Sequence, residues 1–255
     1  MATPQQYLES ILEKYNLTEG DVANLKARRA HIESVFQSVL RPKIETVYYS
    51  GSYAKGTAVK PEFDLDVCLY FKHDSFGNLR EMHSAVLQVL KAEYANVVSQ
   101  TVSIHVDLGG TGIDVVPARS FSDGTGTANL FVTTTGGSLQ TNIPLHKDYI
   151  TKSHARPTIK LMKIWRHLHQ IHFKSFALEL LVIKALENAP SDASLDAHFQ
   201  KTLGFAASEA TRVRLLDPAN SNNVVSDLVA DSDKANLQGQ AAASYAETSW
   251  GRVIW

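Results

Sequence analysis

Residues 63–71 read FDLDVCLYF, and this stretch constrains the fold more than any other. Its second half is apolar and rich in strand-favouring side chains, which predicts a buried β-strand with two acids at its mouth. Side chains two positions apart on a strand share a face, so Asp64 and Asp66 project together while Leu65 and Val67 point the other way. Two neighbouring anions repel unless one is protonated or a cation sits between them. Carboxylates at this spacing suit Mg²⁺, with room left for water and phosphate oxygens. GIDVVPA, residues 112–118, leads a second apolar strand out of a glycine turn, and Asp114 there is placed to complete a two-metal site. Asp107 in IHVDL is its rival on the other strand of the same hairpin and ranks below it.

A D-x-D pair alone also describes the solvated face of a surface strand, so the neighbouring sequence decides. Upstream lies GSYAKGT, residues 51–57. Gly51 lets the backbone approach a phosphate closely, and Ser52 offers an N–H and a hydroxyl to terminal phosphate oxygens. The loop is read as the triphosphate holder and the strand as the metal holder. Gly56 and Thr57 follow within the same segment.

The rest of the chain supplies the frame. Thr3-Pro4 reads as an N-cap with proline at the first helical position, opening a helix that ends near Asn16. A second, long helix is expected from Asp21 to Leu40 on Val22, Leu25, Ile32, Phe36 and Val39, stopped by Pro42. Strand patterns then alternate with one helix in FGNLREMHSAVLQVLKAEYA, a hairpin at SIHVDL-GGTG-IDVVPA and another Gly-Gly turn in LFVTTTGGSLQTN. Beyond Ser153 the chain reads as helical: PTIKLMKIWRHLHQIH is amphipathic, SFALELLVIKALE is apolar nearly all round, and 217–240 is rich enough in Asn, Asp and Ser to be loop-heavy. The expected class is α+β, a mixed-sheet lobe at 1–152 with its N-terminal helices and a helical lobe at 153–255.

Composition narrows the partners. The chain has 255 residues, 44% hydrophobic and 20% charged, which suits one large domain or two lobes and excludes general disorder. Lys and Arg total 25 against 26 Asp and Glu, so any polyanion must be held by a local site rather than by the summed field. The single cysteine, Cys68, excludes an intrachain disulfide framework and reads as a small apolar residue of a buried strand. MATPQQYLES lacks the basic and apolar regions of a secretion signal, and no stretch has the apolar length of a membrane span, which together predict a cytoplasmic protein without membrane attachment. His154, His167, His169 and His172 do not share one helix face and have no cysteine nearby, so they read as polar-face histidines rather than a zinc site. Tyr245, Trp250 and Trp255 read as packing residues before they read as base-stacking ones.

The combination G51-S52-x3-G-T57, D64-L-D66 and D114-V-V-P-A118 resembles the DNA polymerase β-type nucleotidyltransferase superfamily. TIKLMKIWR resembles its R/K-x-x-K-x-W helix, KSFALELL its S-x-x-L-E-L helix, and LLDPANSNNVV the D-P-x-x-x-x-N-x-V element shared by oligoadenylate synthetases, archaeal CCA-adding enzymes and bacterial cGAS/DncV-like enzymes (CD-NTases). The resemblance covers most of residues 20–255. It implies a catalytic lobe crossed by a long spine helix and a helical lobe completing the nucleotide cleft. It implies that Asp64, Asp66 and Asp114 are the catalytic, metal-binding set for two Mg²⁺ ions, with Mn²⁺ a substitute. Gly51 and Ser52 hold the triphosphate, and Lys163 and Ser175 match later phosphate-contacting positions. Lys160, three residues before Lys163, shares its helix face and joins the expected nucleotide-binding set, with an ordinary surface lysine as the alternative. Ser175 also fits the N-cap of the apolar helix, and Asp217-Pro218 fits a turn.

The implied substrates are NTPs: ATP and, depending on the member, GTP, UTP or CTP. Three acceptors compete: another nucleotide, giving a cyclic di- or oligonucleotide messenger; an RNA 3′ end, as in CCA or poly(A)-type enzymes; or a protein or small molecule, as in shorter members lacking the helical lobe. Residues 191–255 hold five Lys/Arg and eight Asp/Glu, 5 − 8 = −3, a poor surface for stable nucleic-acid binding. Second-messenger synthesis is therefore the favoured reading, implying bacterial antiphage signalling through a separate effector that reads the product, with a regulatory protein partner as an option. A non-catalytic nucleotide-binding module is the reading from another class, and the retained, mutually repelling aspartates argue against it.

Overall fold

Thr3 and Thr18 start the first two helices by the same device. In each, the threonine hydroxyl accepts the N–H of the residue three ahead, Gln6 or Asp21, whose side chain reaches back to the threonine N–H. The result is α1 (Pro4–Tyr15) and α2 (Glu19–Leu40), as the sequence leads one to expect, with α2 opening two residues earlier than Asp21 because its cap is Thr18. The computed structural model describes residues 2–60, 63–108 and 112–255. Its remaining elements are β1 (Ile44–Tyr49), α3 (Gly51–Lys55), β2 (Leu65–Phe71), α4 (Leu79–Glu93), β3 (Val97–Ser99), β4 (Ile104–Asp107), β5 (Gly112–Ser120), β6 (Ala128–Phe131), β7 (Ser138–Thr141), α5 (Ile143–Lys152), α6 (Arg156–Leu168), α7 (Ser175–Leu186), α8 (Leu195–Glu209), β8 (Leu216–Asp217), β9 (Asn220–Val224) and α9 (Asp231–Tyr245).

These pack into two compact units whose segments interleave along the chain: Leu17–Lys55 with Phe63–Asp148, and Met1–Asn16 with Gly56–Glu62 and Tyr149–Trp255. The first unit holds a mixed sheet in the order β1-β2-β5-β4-β3, extended by β6 on β5 and β7 on β6. β2 and β5 run parallel, while β4 is antiparallel to β5 as expected; residues 109–111 of the GGTG turn lie outside the described residues. β2 is buried along its length because α2 and α4 cover one face with Leu25, Ile32, Phe36, Met82, Val86 and Leu90. Each such side chain contributes about 1.5–3 kcal/mol of transfer free energy. Val39 was expected on this face and is instead 60% exposed. Cys68 is wholly buried in β2, and burial, followed by the nearby Asp66 charge, pushes its thiol pKa up, so it is a core residue as anticipated.

The second unit is helical, with the small β8–β9 hairpin, and the class is α+β. Two details depart from the sequence reading. α6 is amphipathic as expected, with Arg156 and His167 exposed and Lys160 half-buried, but its buried side also takes in Thr158, Lys163 and Arg166, which the sequence pattern does not announce. The second half of the supposed loop-heavy 217–240 segment is α9, whose Leu237 and Ala241 anchor it. No helix among the described residues is long and apolar enough to cross a membrane.

Candidate active site

Asp66 in β2 is the register partner of Asp114 in β5. Neighbouring strands lie about 4.8 Å apart and register partners point to the same face, so the two carboxylates stand side by side. Asp64 lies just outside the strand, which begins at Leu65, and is exposed; it keeps the face of Asp66 by two-residue spacing. The three aspartates singled out in the sequence are thus brought to the N-terminal ends of the neighbouring strands β2 and β5.

Two glycines fit around them. Ser50 N–H donates to the Asp66 carbonyl at 3.0 Å, turning the chain so that Gly51 sits over the Asp66 side chain with φ at +65°. A β-carbon at residue 51 would lie 1.5 Å from Asp66 Oδ2. The glycine is therefore demanded by the carboxylate as well as by the backbone, a reason that the phosphate argument alone did not supply. At Gly112 a β-carbon would meet Asp64 Oδ1 at 2.7 Å and His105 Cε1 at 2.8 Å. Ser52 follows in α3, half-buried, within the same unit as the aspartates.

His105 is the member that sequence reasoning missed. It is opposite Asp114 in the β4/β5 pairing, and its Nδ1 lies 2.8 Å from Asp114 Oδ1. The side chains are 32% and 25% exposed, so the pair borders solvent. The alternation in SIHVDL was the available signal: Ile104 and Val106 face the core, which turns His105 to the carboxylate face. Asp107, the rival third acid, is exposed at the strand end opposite Gly112.

The donor set is all oxygen apart from one imidazole already committed to Asp114, and it is the chemistry a hard divalent cation takes. Among the described residues no three or more acidic, histidine or cysteine side chains lie close enough together to hold a metal ion by themselves. A cation here would draw its remaining oxygens from water and phosphate, the usual habit of Mg²⁺ beside a nucleotide. The residues fit such an ion.

The other expected nucleotide ligands belong to the helical unit. Lys163 is 2% exposed, its Nζ donating to Glu179 Oε1 at 2.7 Å and Thr57 Oγ1 at 3.0 Å. Lys160 is half-buried and donates to Asn16 Oδ1 at 2.9 Å; burial lowers its pKa, and the Arg156 charge adds to the effect. Neither is an ordinary surface lysine. Ser175 is the first residue of α7, not its cap: Lys174 holds that position without a side-chain bond, and the Ser175 hydroxyl accepts Arg166 Nη1–H at 3.1 Å. Arginine donates only, so the serine proton stays available for an acceptor such as a phosphate oxygen. His169 Nε2 lies 2.8 Å from the Val253 carbonyl oxygen with its ring between Trp165 and Trp255, and His154 lies against His198. Trp250 packs on Phe199, while Tyr245 and Trp255 are about half exposed. Asp217 is buried and caps the hairpin turn, accepting Ala219 N–H at 2.8 Å and Asn223 Nδ2–H at 3.0 Å.

Comparison with known proteins decides the family. Residues 1–152 match the Second Messenger Oligonucleotide or Dinucleotide Synthetase (SMODS) domain. The chain belongs to this family. It is a nucleotidyltransferase with the polymerase β-like fold of the CD-NTases, a synthetase of second-messenger oligonucleotides or dinucleotides with the divalent metal dependence general to that family. A Cyclic AMP-AMP-AMP synthase of Escherichia coli (strain MS 115-1) is 26% identical over 269 residues, covering 95% of this SMODS chain and 84% of the relative. A CBASS oligonucleotide cyclase CdnC of Escherichia coli (strain KTE188) is 26% identical over 255 residues, covering 83% of this chain and 80% of its own. The structure of E. coli MS115-1 CdnC in its complex with HORMA-deltaN superposes with a TM-score of 0.75 at 23% identity, covering 93% of this chain and 88% of that one.

Proposed function

We propose that Asp64, Asp66 and Asp114 are the catalytic and metal-binding residues and that the substrate is ATP first, with other ribonucleoside triphosphates as alternatives. The observation that carries this reading is the same-face register of Asp66 and Asp114, with Gly51 set against the Asp66 carboxylate. Two Mg²⁺ ions, or Mn²⁺ in their place, would be held by the three aspartates and, when bound, would lower the pKa of an attacking hydroxyl and neutralise charge on the leaving pyrophosphate. Asp114, oriented by His105, would help hold a metal ion and activate the acceptor hydroxyl. Gly51 and Ser52 bind the triphosphate from the α3 turn. Lys160, Lys163 and Ser175 are assigned to nucleotide contacts by resemblance, residues 1–152 to the catalytic lobe and 153–255 to the helical lobe. The AMP-built product named for the E. coli synthase supports ATP as the first donor to test.

The HORMA-deltaN complex of CdnC supports a regulatory protein partner of that kind for this chain, and the CBASS name of the other relative supports antiphage signalling through a separate effector. A triphosphate substrate and the lone Cys68 fit the cytoplasm. The test is incubation of the purified protein with Mg²⁺ or Mn²⁺ and all four labelled ribonucleotides, followed by phosphatase and mass analysis. A phosphatase-resistant cyclic product built on adenosine is expected. Absence of such a product with and without a HORMA partner, together with extension of added tRNA or oligonucleotide, would move the acceptor to an RNA 3′ end.

A further inference from the structure

Thr57, Lys163 and Glu179 meet in the core of the helical unit at 0%, 2% and 1% exposure. Glu179 Oε1 accepts from Thr57 Oγ1 at 2.8 Å and from Lys163 Nζ at 2.7 Å, and the same ammonium donates to Thr57 Oγ1 at 3.0 Å. The surroundings are apolar: Ile159, Met162 and Ile164 of α6, and Leu178, Leu180 and Leu181 of α7. Two full charges placed there are dehydrated, and an apolar pair of the same volume would pack as well or better. What an apolar pair cannot do is hold the Thr57 hydroxyl.

Thr57 is the second residue of the segment 56–62, which belongs to the helical unit although the chain on either side of it belongs to the sheet unit. Ser52 lies five residues before Thr57 and Asp64 seven after it. The segment turns at Gly56, with φ +68°, and is then held at Thr57, Val59 and Lys60. Thr57 is bonded as above, Val59 is 1% exposed in the core, and Lys60 N–H donates to the Tyr15 carbonyl at 2.8 Å. Of these anchors, Thr57 is the nearest along the chain to the phosphate turn.

We propose that Thr57 and Glu179 are positioning residues for nucleotide binding: with Lys163 they pin the chain at Thr57, five residues after Ser52, and thereby hold the C-terminal end of the Ser52 turn. The proposal rests on the nucleotide reading above and assigns roles to two residues outside it. It makes Lys163 part of a unit with Thr57, so that the two do not contribute independently.

The test measures affinity for a non-hydrolysable ATP analogue with Mg²⁺, alongside KM, kcat and thermal midpoint. Thr57→Val removes both hydrogen bonds of the buried hydroxyl and is expected to weaken analogue binding about tenfold. It should raise KM more than it lowers kcat, and Thr57→Ser should restore both. In a Lys163→Met/Glu179→Leu background, which removes both charges together, Thr57→Val should add nothing further. Wild-type affinity and KM in Thr57→Val, or a full additional loss in the apolar background, would overturn the proposal. If that background fails to fold, the comparison of Thr57→Val with Thr57→Ser decides alone. Failure of the wild-type protein to bind the analogue would instead overturn the nucleotide reading, and is seen before any variant is compared.

Discussion

Asp66 and Asp114 stand at the same level of the parallel β2/β5 pairing, so their carboxylates meet without any contribution from a loop. Like charges this close repel, and a cation between them relieves the repulsion. Asp66→Asn keeps the shape and removes one charge. It is expected to leave the metal-free thermal midpoint unchanged or higher and to lower turnover by on the order of 10²–10³-fold or more. Scanning calorimetry with and without Mg²⁺ and pyrophosphate release check the two halves; a variant with full turnover would remove Asp66 from the site.

Gly51→Ala places a methyl group where Asp66 Oδ2 now lies, at a φ of +65°. The backbone strain alone costs about 1–2 kcal/mol, and the carboxylate must move as well. Urea unfolding should show that loss, and titration with an ATP analogue should show weaker Mg²⁺-dependent binding than the stability loss explains. Normal binding at lowered stability would mean that the carboxylate has room to move without cost to the site.

His105→Ala takes the imidazole from Asp114 and opens space beside Gly112. Groups that orient a metal-binding carboxylate typically support affinity by about 10–100-fold. Mn²⁺ binding followed by electron paramagnetic resonance should weaken within that range while the fold, read by circular dichroism, is retained. Unchanged Mn²⁺ affinity would reduce His105 to a neighbour of the site.

His83 of α4 is 5% exposed beside the Phe131 ring, and burial lowers its pKa from the ordinary 6.5. A folded-state pKa below the unfolded one gives stability that is present above pH 6.5 and is lost as the pH falls through the folded value. The urea midpoint should therefore drop between about pH 7.5 and about pH 5, and His83→Gln should flatten part of that drop. Equal pH dependence in the variant would exclude His83 as a source.

Much of this was legible in the chain itself. Thr3, Thr18 and the proline and glycine stops mark helices locally, because caps satisfy backbone groups within a few residues. The D-x-D strand and GIDVVPA declare their acids by two-residue alternation. What only tertiary structure decided is pairing across distance. His105 meets Asp114 through strand register, Gly51 is required by a side chain fifteen positions away, and Lys163 lies in the core because Glu179 and Thr57, 16 and 106 residues distant, are there to receive it. A lysine's charge in a linear sequence argues for the surface. Burial depends on the partners that desolvate with it, and those are chosen by the packing of α6 against α7, which no local pattern specifies.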